Sequence, residues 1–122
     1  MKVITFSSAE RYDPEPDWER VSLCAEPSVS IEHFTKPPRH ASPLHNHPQA
    51  QVTIVLRGKM IVRTGAGEQA VLAEGDAAFF PADEPHLIVN ALDEPSIGID
   101  VFAPGRSFDF WLKRLRGEGA KG

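Results

Sequence analysis

The sequence predicts an all-β fold, an antiparallel sandwich or barrel that ends in one short helix. Short stretches of alternating apolar and polar residues recur from Ser28 to Phe102, and turn signals separate them at regular intervals. The chain has 11 prolines and 9 glycines to supply those joints, and helical spacing occurs only near its end. Period-two alternation marks half-buried strands, and many short strands close best as a sandwich or barrel.

Residues 7–20 are polar and turn-rich around Asp13-Pro14-Glu15-Pro16 and predict an arm or loop, within a first region (1–27) that also holds the first strand or strands. The barrel spans 28–106. Val29, Ile31 and His33 alternate with Ser30, Glu32 and Phe34, and Val52, Ile54 and Leu56 with Gln51, Thr53, Val55 and Arg57. Met60 to Arg63 follows Gly58, and Gly65-Ala66-Gly67 marks a hairpin. Val71-Leu72 precedes a turn at Glu74-Gly75-Asp76, and the apolar run Ala77 to Phe80 stops at Pro81. His86 to Asn90 and Ile97 to Phe102 supply two more strands. A helix over 107–116 follows, with Ser107 as N-cap and Phe108, Trp111, Leu112 and Leu115 on one stripe. Trp111 is read as packing. Residues 117–122 predict a frayed tail.

The 122 residues fit one domain, with 41% hydrophobic and 25% charged residues, as in ordinary globular chains. A formal charge of −4 without a Lys/Arg-rich run argues against nucleic acid as a partner. The single cysteine, Cys24, has no partner within the chain for a disulfide and is read as a small core residue. No stretch approaches the ~20 apolar residues needed to span a bilayer, so no membrane partner and a cytoplasmic location are predicted.

Three of the five histidines fall where metal chemistry wants them. His45 and His47 are two apart, so an extended chain points them to one side, and Gln51 shares their parity. His86 begins a later strand after Asp83-Glu84-Pro85. Four nitrogen and oxygen donors so placed can converge on one divalent transition metal ion, among nickel, iron, zinc, manganese and cobalt. A His-x-His pair by itself is common and weak. His33 and His40 are read as a strand and a loop residue without a metal role.

The whole arrangement is more specific. His45-x-His47-x3-Gln51-x6-Gly58, followed by Gly75-x5-Pro81-x4-His86-x3-Asn90, resembles the two cupin sequence motifs in order and spacing. The resemblance implies a double-stranded β-helix, a jelly-roll barrel, with the metal on His45, His47, Gln51 and His86. Three departures stand out. Arg39 and Asp83 occupy places where the motifs usually have glycine, and Gln51 replaces the usual glutamate. A neutral amide leaves a bound ion with more net positive charge, which favours polarising an anionic substrate over dioxygen chemistry.

In Ile97-Gly98-Ile99-Asp100-Val101-Phe102, the aliphatic residues share one side and Gly98, Asp100 and Phe102 the other. If the aliphatic side packs outward, Asp100 points into the cavity. It then acts as a general acid or base beside the metal, or it merely pairs with Arg106 or caps a turn. Asp100-Val101-Phe102-x-Pro104-x-Arg106, with His-x-His-Pro-x-x-Gln, is similar to small cupins that linearise unsaturated uronates in pectin and alginate breakdown. That resemblance implies Asp100, Phe102 and Arg106 as residues required for activity, and the two-pronged donor face of Arg106 suits holding a substrate carboxylate. Another cupin enzyme, a dioxygenase or lyase, and a non-catalytic binder of a metal or small ligand stay open. One of Phe79 and Phe80 is expected to face the cavity and the other the core. The row Val52, Ile54, Leu56 is read as intersheet core or as the face of a homodimer.

Overall fold

In the computed structural model, which describes residues 1–116, nine strands follow a short 3-10 turn at Phe6–Ser8. They are β1 (Arg11–Glu15), β2 (Trp18–Ala25), β3 (Ser30–Lys36), β4 (Ala50–Arg57), β5 (Met60–Thr64), β6 (Gln69–Leu72), β7 (Ala77–Phe80), β8 (His86–Asn90) and β9 (Ser96–Ala103). Helix α1 (Phe110–Leu115) closes the described chain. The expected tail at 117–122 lies outside the described residues. Two antiparallel sheets face each other, one ordered β1-β2-β3-β9-β4-β7 and the other β6-β5-β8. The predicted all-β class is what the chain adopts, and its two sheets form a jelly roll.

The polar run 7–20 differs from the arm or loop expected there. Arg11–Glu15 pairs with the strand that begins at Trp18, and Asp17, at φ 65°, turns the chain between them. Proline and acid content disguised an edge hairpin, where Pro14 loses nothing by lacking an N–H toward solvent. The helix begins later than predicted, with Asp109 and not Ser107 at its N-cap. Among the described residues, no helix is long and apolar enough to cross a membrane.

Register decides what faces inward. Across β3, β9 and β4, Glu32 lies beside Asp100 and Asp100 beside Thr53. The next row is Ser30, Phe102, Gln51 and Phe80, and the one on the other side is Phe34, Gly98 and Val55. Side chains alternate across a strand, so these rows all point into the barrel. Gly98 has to be glycine here, because a Cβ would come within 2.6 Å of the Phe34 ring. The apolar core of Phe34, Val55, Met60, Val62, Leu72, Phe80 and Ile88 fills one part of the interior, and charged residues fill the rest.

The opposite faces point out. Val52 and Ile54 are half-buried and Leu56 is exposed, so this row is not intersheet core. Phe79 is likewise exposed at 65%, whereas Phe80 is buried and stacks on the His86 ring at 4.3 Å. Cys24 is half-buried near the Val29 carbonyl, at the margin of the core and not within it.

Candidate metal centre

Backbone pairing brings the histidines together before any side-chain chemistry acts. His45 and His86 exchange two main-chain hydrogen bonds, 2.9 and 3.1 Å long, across an isolated antiparallel bridge. Their rings therefore lie side by side, with centroids 4.4 Å apart. His47 is held in turn by its own carbonyl, which accepts from the Asp83 N–H at 2.8 Å. Asp83 has φ 68° and Arg39 has φ 58°, so both places where the cupin motifs usually have glycine keep a left-handed backbone.

All three imidazoles are oriented alike. The Nδ1 atoms of His45, His47 and His86 sit 2.9, 3.0 and 2.8 Å from the carbonyls of Pro43, Gln49 and Glu84. A carbonyl only accepts, so each ring carries its proton on Nδ1 and turns a bare Nε2 lone pair inward. One ligand atom from each ring lies within 4.8 Å of the others. Gln51 on β4 completes the cluster, its Oε1 2.9 Å from His47 Nε2 and 3.0 Å from His86 Nε2. Its amide nitrogen donates to Thr53 Oγ1 and Asp100 Oδ1, which fixes the oxygen toward the histidines. Acceptors face acceptors at hydrogen-bond distance with no proton between them, an arrangement that a cation satisfies.

Electrostatics agree. Burial pushes the His47 imidazole down to about 4 and holds His45 and His86 below their ordinary value, so all three are neutral at pH 7, the form that binds metal. The His45 ring also meets Trp111 at 4.5 Å, so this tryptophan packs and walls the centre at once. His33 meets the Phe6 ring and His40 meets Lys36, and among the described residues neither joins the histidine cluster.

Below the histidines runs a buried chain of alternating charge. Asp100 Oδ2 accepts from Arg20 Nη2 at 2.7 Å, and Arg20 Nε donates to Glu32 Oε1 at 2.7 Å. Arg106 donates to both oxygens of Glu32 at 3.1 and 3.2 Å. Asp100 and Arg106 thus share the cavity without pairing with each other. Burial works to raise the Asp100 carboxyl, but the Arg20 guanidinium and the Thr53 hydroxyl outweigh it and hold the group below the usual carboxylate range. The Arg106 guanidinium lies 3.8 Å from the Phe102 ring and 4.2 Å from that of Phe110. Gly105 lets the chain pass beneath, since a Cβ there would strike the Glu26 carbonyl. Sequence reasoning did not single out Arg20, Glu32, Lys36 or Thr53, although each is buried around this cavity.

Two spaces meet the centre. A cavity of about 10 Å³, room for about one water, is lined by Lys36, His45, Gln51, Asp100 and Arg106 among others. A groove of about 340 Å³ at the mouth is lined by His47, Asp83, Arg106, Phe110 and Lys113 among others.

The cupin domain family matches residues 32–102, more than half of the chain. The chain is a cupin. Solved structures similar to it include an RmlC-like cupin from Shewanella frigidimarina, at 24% identity over 88% of this chain and 94% of that one, with TM-score 0.78. KdgF from Halomonas sp. is similar at 25% identity over 88% and 96%, with TM-score 0.79. TT1209 from Thermus thermophilus is similar at 30% identity over 85% and 98%, with TM-score 0.71. No curated protein matches this cupin in sequence. Three of its histidines stand close enough together to bind a metal ion.

Proposed function

We propose that this cupin is a metal-dependent enzyme that opens and tautomerises the ring of unsaturated uronates. The observation that carries the reading is a juxtaposition: Gln51, whose oxygen meets the His47 and His86 nitrogens, lines one small cavity together with His45, Asp100 and Arg106. The order Asp-x-Phe-x-Pro-x-Arg and the likeness to KdgF along most of both chains support it.

His45, His47, Gln51 and His86 would hold the ion, which when bound supplies a Lewis acid for a sugar oxygen. Four neutral donors leave its charge unbalanced, so an anionic substrate is favoured there. Arg106 lines both the cavity and the mouth groove, and its guanidinium is the group that would hold a substrate carboxylate. The groove volume suits a monosaccharide. Phe102 and Phe110 hold the Arg106 plane between their rings and exclude water from it. Opening the ring moves a proton from a hemiacetal oxygen to an enol carbon, and Asp100 is the carboxylate placed to carry it.

The test is incubation of the metal-loaded protein with unsaturated uronates, following loss of the conjugated absorbance. Turnover by the wild type, and none by Asp100→Asn with metal content intact, is expected. One observation favours a second reading, a cupin that binds a metal or small ligand without turnover: Asp100 accepts from Gln51, Thr53 and Arg20, and Arg106 is satisfied by Glu32. Ligand-induced thermal shift without turnover identifies that case. A homodimer through the outward apolar row of Val52, Ile54 and Val101, beside exposed Phe79, belongs to the same proposal. Light scattering at twice the mass of 13.4 kDa checks it.

A further inference from the structure

The interior holds one cation more than its carboxylates answer. Arg20 and Arg106 are matched by Glu32 and Asp100 through the ion pairs above. Lys36, at the end of β3, is just as deeply buried, and among the described residues no carboxylate makes an ion pair with it. Its Nζ lies 4.5 Å from the face of Trp18 and 2.9 Å from Nδ1 of His40. The other ring nitrogen of His40 is 2.6 Å from Oε1 of Glu15, whose side chain is 37% exposed. An unbroken hydrogen-bonded line therefore runs from the cavity lining to the surface.

We propose that Lys36, His40 and Glu15 form a proton relay between the metal-centre cavity and solvent. Each link has the donor and acceptor it needs. The Lys36 ammonium donates to Nδ1 of His40, whose Nε2–H donates to the Glu15 carboxylate. When the proton on Lys36 passes to Nδ1, the proton on Nε2 passes to Glu15, and the protonated Glu15 releases it to water. One proton has then left the cavity, Lys36 is a neutral amine, and His40 is the other neutral tautomer. Reversal brings a proton in.

The charges facing Lys36 from each neighbouring element set its poise. Burial comes first, and the Arg20 guanidinium on β2 adds to it. Asp100 on β9 and Glu15 on β1 oppose them, and the amine is pushed down to about 7. Burial and the facing Lys36 also keep His40 below its ordinary value, so it is neutral when it hands protons on. Transfer is most efficient from a group matched to the working pH. Lys36 meets that condition. What consumes the proton rests on the function proposed above; the line from cavity to solvent does not.

The relay is tested on the full chain loaded with zinc and labelled with nitrogen-15 at lysine. Exchange of the Lys36 amine protons with solvent, read by NMR, slows at least roughly tenfold in Glu15→Gln and in His40→Gln. The half-exposed Glu15 keeps the test alive if His40→Gln, which removes a ring packed on Trp18, does not fold. Unchanged exchange in Glu15→Gln overturns the relay. With an unsaturated uronate, Glu15→Gln lowers kcat and leaves KM, and added imidazole restores the rate in proportion to its concentration. Loss of rate without such rescue also overturns it. A wild type that exchanges through the relay but turns over no uronate overturns the proposed reaction alone.

Discussion

The Gln51 amide nitrogen donates to Oδ1 of Asp100 across 3.2 Å, joining β4 to β9 inside the barrel. Because that nitrogen is committed to Asp100 and Thr53, the amide oxygen has one place to go, the space between His47 and His86. A carboxylate in the same position cannot donate, and it sets two negative groups against each other. Gln51→Glu is therefore expected to destabilise the metal-free protein by about 1–3 kcal/mol at pH 8. Its new carboxyl, or that of Asp100, is raised, so the penalty is present at high pH and shrinks as pH falls through that raised value. Chemical denaturation of both proteins at pH 8 and pH 5 checks this.

Metal and protons compete for the same lone pairs. His45, His47 and His86 are all held below the ordinary value near 6.5, His47 at about 4. The unfolded chain takes up these protons first. The histidines' contribution to the stability of the metal-free protein is therefore complete above about 6.5 and is lost as pH falls toward about 4. Thermal melts across that range should show the decline. Added zinc or nickel should raise Tm at pH 7 and lose its effect in acid, and His86→Ala should abolish the rise.

Lys36 governs the alkaline side. Its amine titrates at about 7 in the fold and near 10.4 when unfolded, so between those values the unfolded chain holds the extra proton. Stability is then expected to rise from pH 7 toward pH 10, and Lys36→Met should flatten that rise. Urea unfolding midpoints measured at pH 7 and 9 on both proteins provide the check.

Asp83 holds a left-handed backbone at φ 68° while its N–H donates to the His47 carbonyl. Asp83→Ala should cost about 1 kcal/mol more than Asp83→Gly, because only glycine takes that conformation without steric penalty. Equal stabilities in urea unfolding would remove backbone strain from the account.

The strands and the histidine cluster were legible because both leave periodic marks. Val52, Ile54 and Leu56 alternate with Gln51, Thr53 and Val55 as a strand must, and His45-x-His47 needs only an extended chain to share a side. The buried ionic chain was not legible. On β3, Val29, Ile31 and His33 alternate with Ser30, Glu32 and Phe34 in the sequence, and in the structure Ser30, Glu32, Phe34 and Lys36 form the buried row. Alternation shows that two faces differ but not which one is buried, and the usual rule fails where a cavity needs charge. Arg20 was hidden for a different reason, sitting at the end of a proline-broken acidic run that looks like a loop.

The series Asp100, Arg20, Glu32, Arg106 draws on β9, β2, β3 and the segment after β9, each charge answered by the next. Exchanging any one member strands a buried charge, which costs about 3–5 kcal/mol, while exchanging all four for apolar residues need not. A lineage carrying this quartet is thus held on a local peak, from which single steps lower stability and only concerted replacement escapes. New chemistry in such a barrel would arise by altering its rim, at Lys113 or Phe110, long before it touched the interior.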